Sequence, residues 1–244
     1  MRPPEQSGNF KAVNLPEPQT VACRCFAVID LGTVDNTYPG NEPSRAKKII
    51  IIWEMPDLLT VFNEEKGEEP FIISEEYKYS THKESNLSKL IAAWRNKPLS
   101  EEEKKTFDPS VMVGKIGLLS FTHKRKKAFV NQDVASITNE NTRIIMTGIG
   151  PLPTAMKAGM KPQMNESILW DWDKISDGVE QFDKEKFSKI YKWIRAKIYT
   201  SDNFKSCATS VNIDDNSQQP AAEVEAPSSQ PSQAEEKVGD DDGW

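Results

Sequence analysis

The first eighty residues alternate between apolar and polar positions in a way that predicts three main β-strands. In residues 20–31 every odd position is apolar, which is the period of a strand with one face on a core. In residues 45–55 a run of five apolar residues fills both faces, as expected for a central strand covered on both sides. A third main strand is predicted at 70–79, preceded by a short one at 58–62.

The pattern then changes to a helical period. The residues Leu87, Leu90, Ile91 and Trp94 follow the spacing of one apolar stripe on a helix. Its start is predicted by the capping-box spacing Thr81-x-x-Glu84, with Ser85 as a competing cap. A second short helix begins at Ser100-x-x-Glu103, which has the same capping-box spacing.

After these helices the pattern predicts a β-hairpin. Its strands are residues 115–122 and 128–137, and its tip is the basic run from His123 to Lys127. Four consecutive cations repel one another, so they favour a solvated loop. The tip is either a charged end that keeps a sheet edge from aggregating or a finger that grips phosphate.

The order strand, strand, strand, helix, strand, strand predicts a mainly β fold with α additions, an OB-fold-like Greek-key barrel. In such a barrel the loops at residues 32–44 and 123–127 flank the binding face, which favours phosphate contact by the basic tip. A sixth strand is predicted at 144–150. A helix is predicted at 183–200, with an apolar stripe and a lysine-rich opposite face.

Composition divides the chain into three parts. Residues 1–19 are polar and proline-dotted, which predicts an extended arm; residues 20–204 form the domain; and residues 205–244 have the composition of a disordered tail. The whole chain carries −6, yet residues 207–244 contain nine acidic residues and one lysine, so the preceding part carries +2. This asymmetry indicates nucleic acid or a regulated interaction surface as a partner.

Motifs for catalysis are missing from the sequence. No phosphate-binding loop, dinucleotide fingerprint or nucleophile elbow occurs, and neither histidine lies in a motif, so we expect no enzyme and no cofactor. Asp171-Trp-Asp173 is a candidate carboxylate pair whose alternative is a surface turn. Cys23 and Cys25 share one strand face without a second ligand pair, so we expect buried hydrophobes and no metal site. No apolar run suits a membrane span or a secretory signal, so we expect a soluble, cytoplasmic protein.

Without motifs for catalysis, the sequence favours a binding function. Single-stranded nucleic acid needs a cationic groove for its backbone and aromatic platforms for its bases. The aromatic candidates with cations on or near the same face are Phe26 and Tyr79, and the alternative for each is a place in the core. The phosphate-binding candidates are Arg24, Arg45, Lys47, Lys124, Arg125, Lys126 and Lys127.

The chain ends in an acidic cluster followed by a bulky aromatic residue. Asp240, Asp241, Asp242 and Trp244 suit an apolar pocket ringed by basic side chains on a partner, although acidic tails also act as solubilisers. With the OB-like body, this ending resembles the single-stranded DNA-binding proteins of bacteria and DNA phages, whose bacterial members end in Pro-Phe where this chain has Gly243-Trp244.

A second resemblance concerns the body of the chain. The stretches 25–32, 51–56, 87–94 and 107–114 are similar to those of an uncharacterised phage protein family encoded near replication genes. The two resemblances imply a viral protein that binds single-stranded DNA during replication or recombination in a bacterial cytoplasm. They also imply that the protein recruits partner proteins through its acidic C-terminal tip, residues 240–244. The alternative is a protein–protein adaptor on an OB-like barrel without nucleic-acid binding.

Overall fold

The structure is a computed structural model that describes residues 15–37, 40–63, 65–125, 142–176 and 181–208. Its centre is a six-stranded sheet in the order β3-β2-β1-β4-β5, in which neighbouring strands are antiparallel, and β6 pairs with β1 in parallel. The strands are β1 (Thr20–Asp35), β2 (Arg45–Asn63), β3 (Gly67–Lys78), β4 (Ile116–Arg125), β5 (Thr142–Gly150) and β6 (Ile168–Trp170).

The helices lie in two groups along the chain. The first group, between β3 and β4, consists of α1 (Asn86–Arg95), α2 (Glu101–Thr106) and a 3₁₀ helix (Pro109–Met112). The second consists of α3 (Thr154–Lys157), α4 (Trp172–Ser176), α5 (Lys184–Ser188), α6 (Lys192–Ile198) and α7 (Asp202–Ala208).

Both faces of the central strands are buried, so the sheet has two cores. On one face, β1 and β2 pack against the apolar stripe of α1, as the stripe predicts. On the other, they pack against β6 and the helices α5 and α6. The prediction that β1 has one core face was therefore wrong. A register shift between Cys25 and Ala27 turns the strand, and the C-terminal helices supply the second apolar layer.

The mainly β class with added helices is confirmed. The order β3-β2-β1-β4-β5 leaves β3 and β5 as the two ends of the sheet, and a closed barrel would need a ladder between them. Among the described residues these strands come into contact without such a ladder, so the sheet is open.

The predicted hairpin differs from the observed strands. β4 continues through His123 to Arg125, so these residues belong to a strand and not to the tip. The pairing partner of β4 is β5, the strand predicted as the sixth. Residues 126–141, which include the strand predicted at 128–137, lie outside the described residues.

The helix starts follow the local capping chemistry. Ser85, and not Thr81, caps α1, because its side chain accepts a hydrogen bond from the Ser88 amide. The capping box at Ser100 and Glu103 is present in both directions.

The helix predicted at 183–200 is interrupted. Tyr191 has extended backbone angles, which separate α5 from α6. Phe187, Ile190 and Ile194, from both sides of the interruption, belong to the second core. Helix α7 then crosses the boundary predicted at residue 204 and extends the folded region to Ala208.

Candidate functional site

A cleft of about 360 Å³ opens beside the middle of β1 and the start of β2. Its floor is apolar and includes Val28, Ile49 and Leu169, which belong to three neighbouring strands. One wall is the segment 105–110, between α2 and the 3₁₀ helix, and the other is the segment 169–174, which joins β6 to α4. With Tyr79, which follows β3, the cleft therefore brings together five parts of the chain that are distant in sequence.

Lys47 lies at the centre of the charged side chains in this cleft. Its ammonium is 2.6 Å from an oxygen of Asp173 and 3.1 Å from an oxygen of Asp30. The same ammonium lies 5.2 Å from the centre of the Tyr79 ring, within the range of a cation–π contact. The Tyr79 hydroxyl donates to the carbonyl of Phe107 at 2.7 Å, which ties this arrangement to the loop after α2.

The backbone fixes the carboxylates locally. Gly32 has a φ of 76°, and its amide donates to Asp30 at 2.8 Å, next to a register shift in β1. Asp171 accepts a hydrogen bond from the Asp173 amide at 2.9 Å, at the start of α4. Asp30 is buried, whereas the Asp173 side chain is 65% exposed.

The protonation of the pair follows from its surroundings. Burial raises the pKa of the Asp30 carboxyl, although the charge of Lys47 and hydrogen bonds from Gly32 and Lys47 act in the opposite direction. Burial lowers the pKa of Lys47, but the charge of Asp30 and the contacts with Asp173 outweigh it, so the pKa of Lys47 is raised. The Lys47 side chain is therefore protonated and positively charged at neutral pH.

The carboxylates of Asp30, Asp171 and Asp173 lie close enough together to act as ligands of one cation. Oxygens of Asp30, Asp171 and Asp173 lie within 4.8 Å of one another. Oxygen ligands at this spacing suit a hard divalent ion. In the described structure, however, the Lys47 ammonium already contacts two of the three, so the protein supplies its own counter-charge.

Sequence reasoning found part of this site. Lys47 and Tyr79 were predicted, but for nucleic acid, and Asp171 and Asp173 were noted only as a possible carboxylate pair. Asp30 was missed as a member of the cluster. Its signal is a charged residue in an otherwise apolar strand segment, between Ile29 and Leu31.

Two other predicted phosphate-binding arginines are also occupied by contacts within the chain. Arg45 makes two hydrogen bonds to the carboxylate of Asp202, at 2.7 and 2.9 Å, and a third to the Thr33 carbonyl. Arg24 lies 3.8 Å from the carboxylate of Glu54, which has no exposed surface. Both arginines therefore hold the fold together at these positions.

Glu54 also fixes the loop that follows α3. Its carboxylate accepts hydrogen bonds from the amides of Met164 and Asn165 and from the Asn165 side chain, at 2.8–3.3 Å. Arg24 in turn reaches the carbonyl of Lys161 at 3.4 Å. Arg24, predicted as a phosphate ligand, therefore helps Glu54 to anchor residues 161–165.

The predicted stacking role of Phe26 is wrong. Phe26 is 1% exposed and belongs to the second core, because it lies on the strand face opposite Cys25, which the C-terminal helices cover. Trp170 and Trp172 pack in the same core, with ring centres 5.4 Å apart. Cys23 and Cys25 are buried and free, as expected.

The cations at the end of β4 have a different environment. Lys124 is exposed and lies directly across from Arg143 of β5 in the strand register. Like charges at opposed positions destabilise a strand pair. The structure describes the backbone of Arg125, while Lys126, Lys127, Asp240, Asp241, Asp242 and Trp244 lie outside the described residues.

Within the described ranges, no helix combines the length and apolarity needed to cross a membrane. Comparison with models of known protein families gave no match, and neither did comparison with curated proteins or with solved structures.

Proposed function

We propose that this protein binds single-stranded DNA without strong sequence preference, through the end of the β4–β5 strand pair. The observation that carries the proposal is the juxtaposition of Lys124 and Arg143 at opposed positions. Two cations held this close gain from a bound anion, and a phosphate chain supplies one. In the sequence, Arg125, Lys126 and Lys127 follow directly, which extends the basic stretch.

This mode of binding relies on the DNA backbone. Counterion release drives it, and the affinity falls steeply with salt. The element order supports the proposal, because three strands, helices and β4 follow one another as in an OB-fold, and because such folds use the connection between their fourth and fifth strands for oligonucleotides. The proposed setting is phage DNA replication or recombination in a bacterial cytoplasm, where the tip 240–244 recruits partner proteins.

A second candidate function is a protein–protein adaptor. It is favoured by the covering of the strand face that carries Phe26, Ile50 and Ile52, which α5 and α6 bury. OB-folds use the face of their second and third strands for nucleic acid. A protein that fills this face with its own helices has less surface for stacked bases.

Fluorescence titration of a labelled poly-dT oligonucleotide separates the two candidates. We expect salt-sensitive binding of the single strand, weaker binding of its duplex, and a log–log salt slope that falls by about 0.7 for each phosphate contact removed. Lys124→Ala should reduce that slope, whereas Lys66→Ala, an exposed lysine on the β2–β3 turn, should leave it unchanged. Salt-independent behaviour, or equal slopes for both variants, contradicts the proposal and favours the adaptor.

The tail requires a separate measurement. Deletion of residues 239–244 should leave binding of poly-dT equal or tighter, because three aspartates are removed. The same deletion should abolish retention of replication or recombination proteins on the immobilised chain. Unchanged retention would remove the tip from the proposal.

A further inference from the structure

A hairpin projects from one end of the sheet. The pairing of β1 with β2 ends at Arg24 and Glu54, but β2 and β3 continue to pair with each other beyond that point. We call the described part of this continuation, residues 59–63 and 65–70, the acidic hairpin, because it carries three glutamates and one lysine. The acidic hairpin therefore extends past the part of β2 that β1 covers.

The acidic hairpin exposes apolar side chains. Val61 is 44% exposed and Phe62 is 48% exposed, and the centre of the Phe62 ring lies 5.2 Å from that of Phe71. At the base of the hairpin lies a groove of about 430 Å³, whose lining includes Leu15, Leu58 and Phe71. Exposed apolar side chains beside an apolar groove, with charged residues around them, are typical of a contact with another protein.

The basic end of the β4–β5 pair lies at the same end of the sheet. β4 runs past the first residue of β1 and continues to Lys124, which opposes Arg143 in the strand register. Pro16 lines the groove, and its carbonyl oxygen lies 2.8 Å from Nε2 of His123 on β4. One end of the sheet thus carries an acidic projection and a basic projection, and the lining of the apolar groove connects them.

We propose that this end of the sheet is a dimer interface, at which the acidic hairpin of each copy docks on the basic end of the other. A twofold contact is reciprocal, so a surface that carries both charges is complementary to itself. The acidic tail of the chain is a poorer occupant, because the three aspartates that precede Gly243 and Trp244 would face the glutamates of the hairpin.

Docking covers the exposed apolar side chains of the acidic hairpin and brings the exposed Glu68 of one copy to Lys124 of the other. The proposed function uses the same cations, so a phosphate chain and a second copy compete for them. The dimer therefore belongs to the DNA-free protein, and its test needs no DNA. A chain that dimerises in this way without binding poly-dT would refute the proposed function alone.

Sedimentation equilibrium of the full chain at low salt measures the dimer directly. We expect the mass to rise from 27.5 kDa toward twice that value, with a Kd on the order of 10 µM, because the interface is small. Phe62→Ala should weaken the dimer about tenfold and Val61→Ala about fivefold, because each removes apolar area from the contact. Val111→Ala is the matched control, at an exposed valine of the 3₁₀ helix, and should leave the Kd unchanged.

Charge reversal tests the pairing itself. Glu68→Lys and Lys124→Glu should each weaken the dimer about tenfold or more, because like charges then face one another. An equimolar mixture of the two variants should dimerise again, since opposite charges meet at both contacts of the mixed pair.

Three results would overturn the dimer interface: a wild-type chain that stays monomeric at about 100 µM, a Kd that Phe62→Ala leaves unchanged, or charge variants that fail to associate when mixed. A mass that keeps rising with concentration would show an open head-to-tail contact and would also overturn the reciprocal dimer.

Discussion

Replacing Lys47 with methionine is the sharpest test of the carboxylate cleft. Methionine keeps the length and apolar stem of lysine but removes the ammonium that contacts Asp30 at 3.1 Å and Asp173 at 2.6 Å. The variant leaves three carboxylates within 4.8 Å of one another without that central cation. Asp30, which is buried, bears most of the consequence.

The expected loss follows from the distances and from the burial. At 3.1 Å and an effective dielectric constant of about 20, the attraction between Lys47 and Asp30 is on the order of 5 kcal/mol. Loss of the lysine also removes its own desolvation cost, and the Asp173 side chain is largely solvated, so the net effect is smaller. We expect the free energy of unfolding to fall by about 3 kcal/mol, the low end for a broken buried pair. That corresponds to a Tm lowered by roughly 6–12 °C.

The loss should depend on pH. Burial already raises the pKa of Asp30, and without Lys47 it rises further. A carboxyl whose pKa is higher in the folded than in the unfolded state stabilises the fold when protonated and costs stability when ionised. The difference between Lys47→Met and the wild type should therefore be largest near pH 7 and shrink as the pH falls through the pKa of Asp30.

Urea unfolding followed by tryptophan fluorescence measures this difference at pH 7 and at pH 4. Lys105→Met is the matched control, because Lys105 lines the same cleft from an exposed position and should change the free energy by less than about 0.5 kcal/mol. Adding Asp30→Asn to Lys47→Met should recover part of the loss. If Lys47→Met is as stable as the wild type, or if its loss is the same at both pH values, the electrostatic account of the cleft is wrong.

Two further predictions concern carboxylates outside the cleft. Glu54→Ala should lower the free energy of unfolding by about 3–5 kcal/mol, because it leaves two backbone amides without their acceptor and Arg24 without the carboxylate of its ion pair. Thermal unfolding beside Glu42→Ala, a change at an exposed loop residue, measures the loss. Burial acts to raise the pKa of Glu76, but the contacts with Lys197 and Lys48 outweigh it, so the pKa is lowered. Glu76 therefore contributes stability above its ordinary pKa of 4.5, and this stability is lost as the pH falls. Glu76→Gln should therefore flatten the fall in stability below about pH 4.5, and a wild-type-like acid profile would contradict this assignment.

The local patterns predicted most of the first half of the fold. The alternation in β1, the apolar run of β2 and the stripe of α1 all depend on neighbours within a few residues, so the sequence displays them directly. The second core could not be found in this way. One register shift moves Ala27 and Ile29 to the strand face of Phe26. Their partners in this core, such as Phe187 and Ile194, lie far along the chain.

The cleft was hidden for the same reason. Asp30, Lys47 and Asp173 belong to β1, β2 and α4, and only the pairing of β1 with both β2 and β6 brings them together. The sequence alone does not show whether a basic residue will form an ion pair with a carboxylate in the fold. Their charge predicts Arg24, Arg45 and Lys47 as phosphate ligands, but each of them meets a carboxylate in the fold.

Where an anion can bind depends on which basic side chains already form ion pairs with carboxylates of the protein. A phosphate that approached Arg45 would have to displace the carboxylate of Asp202 and would gain little, because one ion pair replaces another. At Lys124 and Arg143 the balance differs, because two like charges face each other and a phosphate relieves their repulsion. The site for a polyanion is therefore expected where the fold leaves cations opposed to one another, and the arginines within the sheet serve the fold itself.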